Sequence, residues 1–412
     1  MKLRRVIYLA VPLSVVAAIG TVRWIPRGSP PSRPVMMIQL PAPGRAVLVG
    51  RSPGNFTPWL VQLTTAEGDP VAQVTATVEL DGRLEAVFDG LAAGTAYRFV
   101  ASRADDAGGR PLLTGGFRTG DSGATARERP CRLLVFGDSG SGDANQSALA
   151  ALMPDLRPDL ILHTGDLVYL EGRYEWYDAK FFQPYAQLLS LAPFFPCPGN
   201  HDSEFDEGRP YYRTFVLPEN GPPGATASEQ HYWFDHGGMR IVSLDSNPPF
   251  EHLRDVVAPW LDGVLAEAPG PWKIVLFHHP PYTHGKYPPS GKLRELLVPV
   301  FDRHGVGLVI NGHNHMYECT YPMRGGRIVP EGQGTVYLVS GAGGGELYEA
   351  GPAAPAYLRK QVAGQFSFTV LDVHAGHVDL QQINLRGDVV DSARILAPLP
   401  AGTDAQDAEV HS

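Results

Sequence analysis

Cys131-Arg132-Leu133-Leu134-Val135-Phe136-Gly137-Asp138-Ser139-Gly140 carries, in ten residues, the pattern on which the rest of the chain is built. Four consecutive apolar residues, Leu133 to Phe136, run into a Gly-Asp pair. A short apolar run bounded by a turn signal reads as a buried strand. A polar residue just past its carboxyl end stands where open α/β sheets gather their ligands. The pattern recurs. Leu160-Ile161-Leu162 leads to Gly165-Asp166-Leu167-Val168-Tyr169, and Ile274-Val275-Leu276-Phe277 leads to His278-His279-Pro280-Pro281. Val306-Gly307-Leu308-Val309-Ile310 leads through Asn311 to Gly312-His313-Asn314-His315, and Gly199-Asn200-His201-Asp202 is a fifth motif of the kind. The glycines before Asp138, Asp166, Asn200 and His313 permit tight turns and close backbone approach, so residues far apart in sequence can converge.

Together the five motifs supply two carboxylates, a phenol, an amide oxygen and several imidazoles. That is enough to ligate two adjacent metal ions, a device suited to displacing a group on phosphorus. Each residue alone has a plainer use. Asp138 or Asp166 could cap a following helix, Asn200 could serve a turn, Tyr169 could be a packed aromatic, and His278 a hydrogen-bonded core imidazole. Those uses leave the shared placement unexplained. His279 reads as orienting the site or as facing solvent, whereas His163 and His304 carry no motif and read as structural.

Around the motifs, strand runs alternate with helical stretches predicted near Asn145–Met153, Tyr174–Leu189, Val256–Ala268 and Lys292–His304. This alternation means an α/β layered domain, a β-sandwich flanked by helices, over residues 129–396. Strand runs beyond His315 (Thr335–Val339, Phe366–Leu371 and His377–Leu380) are expected to build a second sheet against the first. Residues 35–120 instead show short apolar alternations broken by Gly, Asp and Pro, such as Arg45–Val49, Trp59–Leu63, Thr75–Leu80 and Tyr97–Val100. This spacing predicts an all-β sandwich. Within it Leu91-Ala92-Ala93-Gly94-Thr95-Ala96-Tyr97 resembles the corner of a fibronectin type III domain, where a Tyr hydroxyl bonds back to nearby backbone.

The bulk numbers bound the rest. A chain of 412 residues suggests two to three domains. A formal net charge of -9 argues against binding nucleic-acid backbones, which needs a basic surface. Lys2, Arg4 and Arg5 precede an apolar run from Val6 to Val22, the pattern of a secretory signal. Residues 1–25 therefore read as a cleaved signal peptide or a membrane anchor, and either places the body outside the cytoplasm, periplasmic, extracellular or anchored facing outward. Residues 26–34 read as a linker and 397–412 as a disordered tail. Three cysteines, Cys131, Cys197 and Cys319, are too few for a disulfide scaffold; one bridge plus one thiol would suit an exported protein, with Cys197 expected as a buried thiol.

The five motifs in this order resemble the calcineurin-like metallophosphoesterase superfamily, and within it the purple acid phosphatases. Tyr169 three residues after Asp166, the stretch Gly312-His313-Asn314-His315-Met316-Tyr317-Glu318, the later Val339-Ser340-Gly341-Ala342-Gly343-Gly344 and a preceding fibronectin-like domain carry the narrower match. The resemblance implies one ion held by Asp138, Tyr169 and His315, a second by Asn200, His278 and His313, and Asp166 bridging both. It implies iron(III) at the first position, which hard anionic donors suit, and a divalent zinc, iron or manganese at the second. His201 would donate to a phosphate oxygen or steer the attacking hydroxide, and His284 would protonate the leaving oxygen, although Tyr282-Thr283-His284-Gly285-Lys286 does not follow the family closely and an exposed loop histidine is the plainer reading. The implied reaction is hydrolysis of small phosphate monoesters by a metal-bound hydroxide at acidic pH. The alternatives are a phosphodiesterase or phosphoprotein phosphatase on the same site, or an exported binding protein with an inactive centre. Tyr174, Trp176, Tyr211, Tyr212 and Tyr287, near the motif loops, read either as lining the pocket or as packing residues, with packing favoured for most, and oligomeric state is not legible.

Overall fold

Continuous apolar runs become strands covered on both faces. In Trp272–Leu276, Ile274 and Leu276 join one hydrophobic core while Val275 joins another. Such runs lack alternation because neither face meets water. The computed structural model describes residues 33–106, 109–121 and 129–399. The targeting segment, the linker as far as residue 32 and the tail from residue 400 lie outside the described residues. Residues 397–399 are tied down: the Ala397 and Leu399 amides donate to the carbonyls of Gly376 and Gly332, at 2.9 and 2.8 Å.

Seven strands open the described chain: β1 (Val35–Ala42), β2 (Arg45–Arg51), β3 (Trp59–Thr65), β4 (Pro70–Ala76), β5 (Arg83–Phe88), β6 (Ala96–Arg103) and β7 (Leu113–Arg118). They form two antiparallel sheets, ordered β1-β2-β5 and β4-β3-β6-β7. The Ala92 N–H donates to the Tyr97 hydroxyl at 2.9 Å, the corner bond expected of that stretch. The strand expected over Thr75–Leu80 instead ends at Ala76, and Leu80 is exposed. Gly82, at φ +84°, turns the chain there, and the run Arg83–Phe88 supplies the strand.

The mixed α/β region contributes β8 (Cys131–Phe136), β9 (Leu160–His163), β10 (Phe194–Pro196), β11 (Tyr232–His236), β12 (Met239–Ser243), β13 (Trp272–Leu276), β14 (Leu308–Asn311) and β15 (Tyr317–Thr320). After a two-residue hairpin, β16 (Met323–Arg324) with β17 (Arg327–Ile328), come β18 (Val336–Ser340), β19 (Leu358–Val362), β20 (Ser367–Val373), β21 (His377–Asn384) and β22 (Val389–Leu396). One six-stranded sheet has the order β10-β9-β8-β20-β21-β22, and a seven-stranded sheet has β11-β12-β13-β14-β18-β15-β19. The late strands therefore do not make a sheet of their own. β18 pairs in parallel with β14, while β20 pairs antiparallel with β8. Ser340 ties the two sheets, donating to the Val135 carbonyl at 3.2 Å and lying 2.9 Å from the Thr369 hydroxyl.

Helices Ala144–Leu152, Ala258–Ala266 and Gly291–His304 match the periodic stretches. Asp143 caps the first by accepting from the Gln146 amide, and Ser290 and Gly305 bound the last. The helix expected over Tyr174–Leu189 breaks into short turns. Pro184 lies inside it, lacks an amide donor and clashes with the preceding turn. No disulfide joins Cys131, Cys197 and Cys319, and all three are buried. Among the described residues no helix is long and apolar enough to cross a membrane.

The N-terminal sheets are tied to this region through a buried amide. Gln39 on β1 donates to the Phe194 carbonyl at 2.8 Å and accepts from the Val216 amide. Replacing it (Gln39→Leu) leaves both groups without partners, at an expected cost of about 1–3 kcal/mol for each. Urea denaturation measures it, and a loss below about 0.5 kcal/mol would show that this tie contributes nothing.

Candidate metal centre

The motif residues all follow strand ends. Asp138 comes two residues after β8, Asp166 three after β9, Asn200 four after β10, His278 two after β13 and His313 two after β14. Two sheets thus deliver them to one place from both sides. Three of these positions, Asp138, Asp166 and His313, have φ values of +53°, +56° and +70°. Side chains with a Cβ seldom adopt that conformation, and such strain collects where function fixes the geometry. Gly199 and Gly312 permit the close approach: a Cβ on Gly199 would strike the Asp166 carboxylate and amide, and one on Gly312 the Asp138 carboxylate.

Seven side chains meet in two groups. In the first, the Tyr169 hydroxyl lies 2.9 Å from His315 Nε2, 3.2 Å from Asp166 Oδ2 and 3.5 Å from Asp138 Oδ1. His315 Nε2 is also 3.5 Å from Asp138 Oδ1. In the second, Asn200 Oδ1 lies 3.1 Å from both His278 Nε2 and His313 Nδ1, and those nitrogens are 3.2 Å apart. Asp166 Oδ2 is 3.5 Å from His278 Nε2, so one carboxylate oxygen touches both groups.

The electrostatics call for cations. Burial and then repulsion from Asp166 push the Asp138 carboxyl well above its usual range, and burial and then Asp202 do the same to Asp166. Burial and the two carboxylates also raise the Tyr169 phenol. Burial lowers His315 to about 4 and His313 to about 3, and lowers His278 strongly, with neighbouring imidazoles adding to the effect on His278 and His313. These imidazoles are therefore neutral, the form that binds metal. Among the described residues neither Asp138 nor Asp166 pairs with Lys or Arg. Buried acidic oxygens that burial alone would hold protonated, beside neutral nitrogens and with no Lys or Arg paired to either carboxylate among the described residues, fit a metal centre. Donor atoms of Asp138, Asp166 and His315 lie within 4.8 Å of one another, as do those of His278, His279 and His313.

His201 borders the site. Its backbone N–H donates to Asp166 Oδ1 at 3.0 Å, its Nδ1 meets the Leu170 carbonyl, and its Nε2 is 4.0 Å from Asp166 Oδ2. No contact joins the His284 ring to the seven. It abuts Gly351, its Nδ1 is buried without a hydrogen-bond partner, and Glu318 holds its amide at 2.8 Å. His163 is buried with its Nε2 2.9 Å from the Ser139 hydroxyl, which fits a structural role.

Asp202, Asn314, Lys286 and Tyr348 escaped sequence reasoning. The buried Asp202 carboxylate accepts from the amides of Asp166 (2.8 Å), Leu167 (2.9 Å) and Gly199 (2.9 Å), stapling two motif loops together. Asn314 accepts from the Tyr287 amide at 3.0 Å and donates to the Tyr287 carbonyl and the Thr283 hydroxyl, each at 2.9 Å. Both residues sit inside the quoted motifs, which was the available signal. His279 packs its ring 4.5 Å from His313, with Nδ1 2.8 Å from the Ser246 hydroxyl. Tyr287 and Tyr348 stack on His313 and His315 at 4.6 and 4.1 Å, and Lys286 Nζ stands 4.3 Å over Tyr348. Tyr287 is thus a wall of the site rather than ordinary packing.

A two-sheet scaffold that brings two carboxylates, a phenol, an amide and three imidazoles to the ends of its strands defines a metal-dependent phosphoester hydrolase. The comparisons with known proteins agree. Residues 131–317 match the family model described as calcineurin-like phosphoesterase. The chain is 26% identical over 309 residues to acid phosphatase type 7 of Homo sapiens, covering 65% of this chain and 68% of that protein. It is 29% identical over 227 residues to purple acid phosphatase 21 of Arabidopsis thaliana, covering 52% and 50%. A solved purple acid phosphatase from yellow lupin (Lupinus luteus) seeds shares the fold, with a TM-score of 0.74 at 19% identity, covering 91% of this chain and 78% of that one. The chain carries a calcineurin-like metallophosphoesterase domain whose homologues include purple acid phosphatases, and those relatives imply a dinuclear metal centre.

Because Asp202 orients Asp166 without joining the ligand cluster, Asp202→Asn should weaken metal retention roughly 10–100-fold. Dialysis of the variant against a graded chelator, followed by metal analysis, measures this. Retention equal to wild type would show that the staple is dispensable.

Proposed function

We propose that the chain is an exported acid phosphatase that hydrolyses small phosphate monoesters at a binuclear centre. The observation that carries this is the contact of Asp166 Oδ2 with both Tyr169 and His278. In this proposal Asp138, Tyr169 and His315 hold iron(III), Asn200, His278 and His313 hold a divalent zinc, iron or manganese, and Asp166 bridges. Two ions bound there would supply a water acidified enough to attack phosphorus at low pH, together with the charge that the transition state needs. The basic and apolar residues 2–22 support export. A signal peptide or anchor over 1–25, an all-β domain over 35–120 and a catalytic domain over 129–396 are parts of the same proposal.

The protein's own residues orient the ester. With Nδ1 engaged by the Leu170 carbonyl, His201 directs Nε2 toward the centre, where it meets a phosphate oxygen. Lys286, held over Tyr348, brings a cation to the rim and draws the anionic substrate in. His284 shares that loop, which Glu318 and Asn314 fix, and we assign it the proton given to the leaving oxygen.

A panel of matched mono- and diesters across pH, combined with metal analysis, tests this. Monoester turnover should dominate with an acidic optimum; preference for diesters would instead support the phosphodiesterase alternative. Tyr169→Phe should abolish a visible phenolate-to-iron absorption band, and absence of that band from the oxidised wild type would remove iron(III) from the proposal. His284→Ala should lower kcat on an alkyl phosphate about 100-fold while sparing 4-nitrophenyl phosphate, whose leaving group needs no proton. Equal effects on both esters would remove His284 as the acid.

A further inference from the structure

We propose that the tip of the β20–β21 hairpin binds one borderline divalent cation, Zn2+, Cu2+ or Ni2+, through His374, His377 and Asp379. The site is distinct from the phosphoesterase centre. Strand register places it at the opposite end of the six-stranded sheet, since Val373 pairs with Cys131 at the start of β8 while Thr369 pairs with Val135 near its end. The catalytic motif begins just beyond that far end, at Gly137.

Hairpin geometry brings the three side chains together. His374 and His377 face each other across the turn, with the His374 N–H donating to the His377 carbonyl at 2.9 Å. Asp379 follows His377 by two residues along β21 and so projects from the same face. The two imidazoles stack with ring centres 4.3 Å apart and planes 14° from parallel. Nε2 of His374 lies 3.7 Å from Asp379 Oδ2, and Nε2 of His377 lies 3.4 Å from the same atom. One donor from each residue falls within a 4.8 Å span. Donors about 2.0–2.1 Å from a tetrahedral ion stand about 3.3 Å apart, so small side-chain rotations complete three corners and leave the fourth to water.

The surroundings support the same site. Trp272 Nε1 donates to the His374 carbonyl at 2.7 Å and steadies the turn. All three side chains are partly exposed, which gives an ion an entry path. Two imidazoles and a carboxylate select borderline ions over calcium or magnesium. Arg394 competes: it donates to Asp379 Oδ1 at 2.8 Å and to Oδ2 at 3.1 Å, and the ion must displace the second of these bonds.

The test uses full-length protein carrying its catalytic ions, titrated with Zn2+ by calorimetry and with Cu2+ by electron paramagnetic resonance. One Zn2+ should bind beyond the catalytic complement, and the Cu2+ spectrum should show nitrogen coupling. His377→Ala should weaken this binding at least tenfold, remove the nitrogen coupling and leave ester hydrolysis unchanged. Arg394→Gln, which keeps all three ligands and frees Oδ2, should tighten binding. No additional Zn2+ on wild type, equal affinity in His377→Ala, or no gain in Arg394→Gln would each overturn the proposal.

Discussion

A single buried carboxylate organises this protein. Asp166 must leave its strand in a left-handed conformation, accept the His201 amide on one oxygen and present the other to both Tyr169 and His278. None of this is favourable in isolation: the backbone is strained, the charge is buried, and Asp138 lies close by. Cations in the space between the two groups would offset these costs.

Its rigidity comes from the layers on either side. Asp138, Asp166 and Asn200 leave the six-stranded sheet, whereas His278, His313 and His315 leave the seven-stranded one. Each donor group therefore draws on both sheets, so how the sheets pack sets how each group closes, and Ser340 with the shared apolar core fixes that packing. Local staples finish the alignment, with Asp202 joining the Asp166 and Asn200 loops and Asn314 holding the rim loop that carries Lys286.

The parts legible in the sequence were those encoded locally. An apolar run followed closely by a polar residue, through a glycine in every case but His278, is a self-contained signal, so the convergence of Asp138, Asp166, Asn200, His278 and His313 was readable, as was the Tyr97 corner. The parts that depend on distant partners were not. Nothing near Val336–Ser340 or Ser367–Val373 says that the first joins β14 and the second β8, so the late strands were placed together in one sheet. The long helix predicted after Tyr174 ignored Pro184, and Leu80 was taken into a strand although it lies in the turn that Gly82 closes. Lys286 carried no motif; the stacking of Tyr287 on His313 and of Tyr348 on His315 reveals its place beside the site.

Anomalous diffraction from crystals of the metal-loaded protein, collected at the iron and zinc edges, addresses the bridging role proposed for Asp166. The account predicts two peaks about 3.5–4 Å apart, both within bonding distance of the Asp166 carboxylate, one also touching Tyr169 and the other Asn200. A single peak, or two peaks that do not share Asp166, would contradict it.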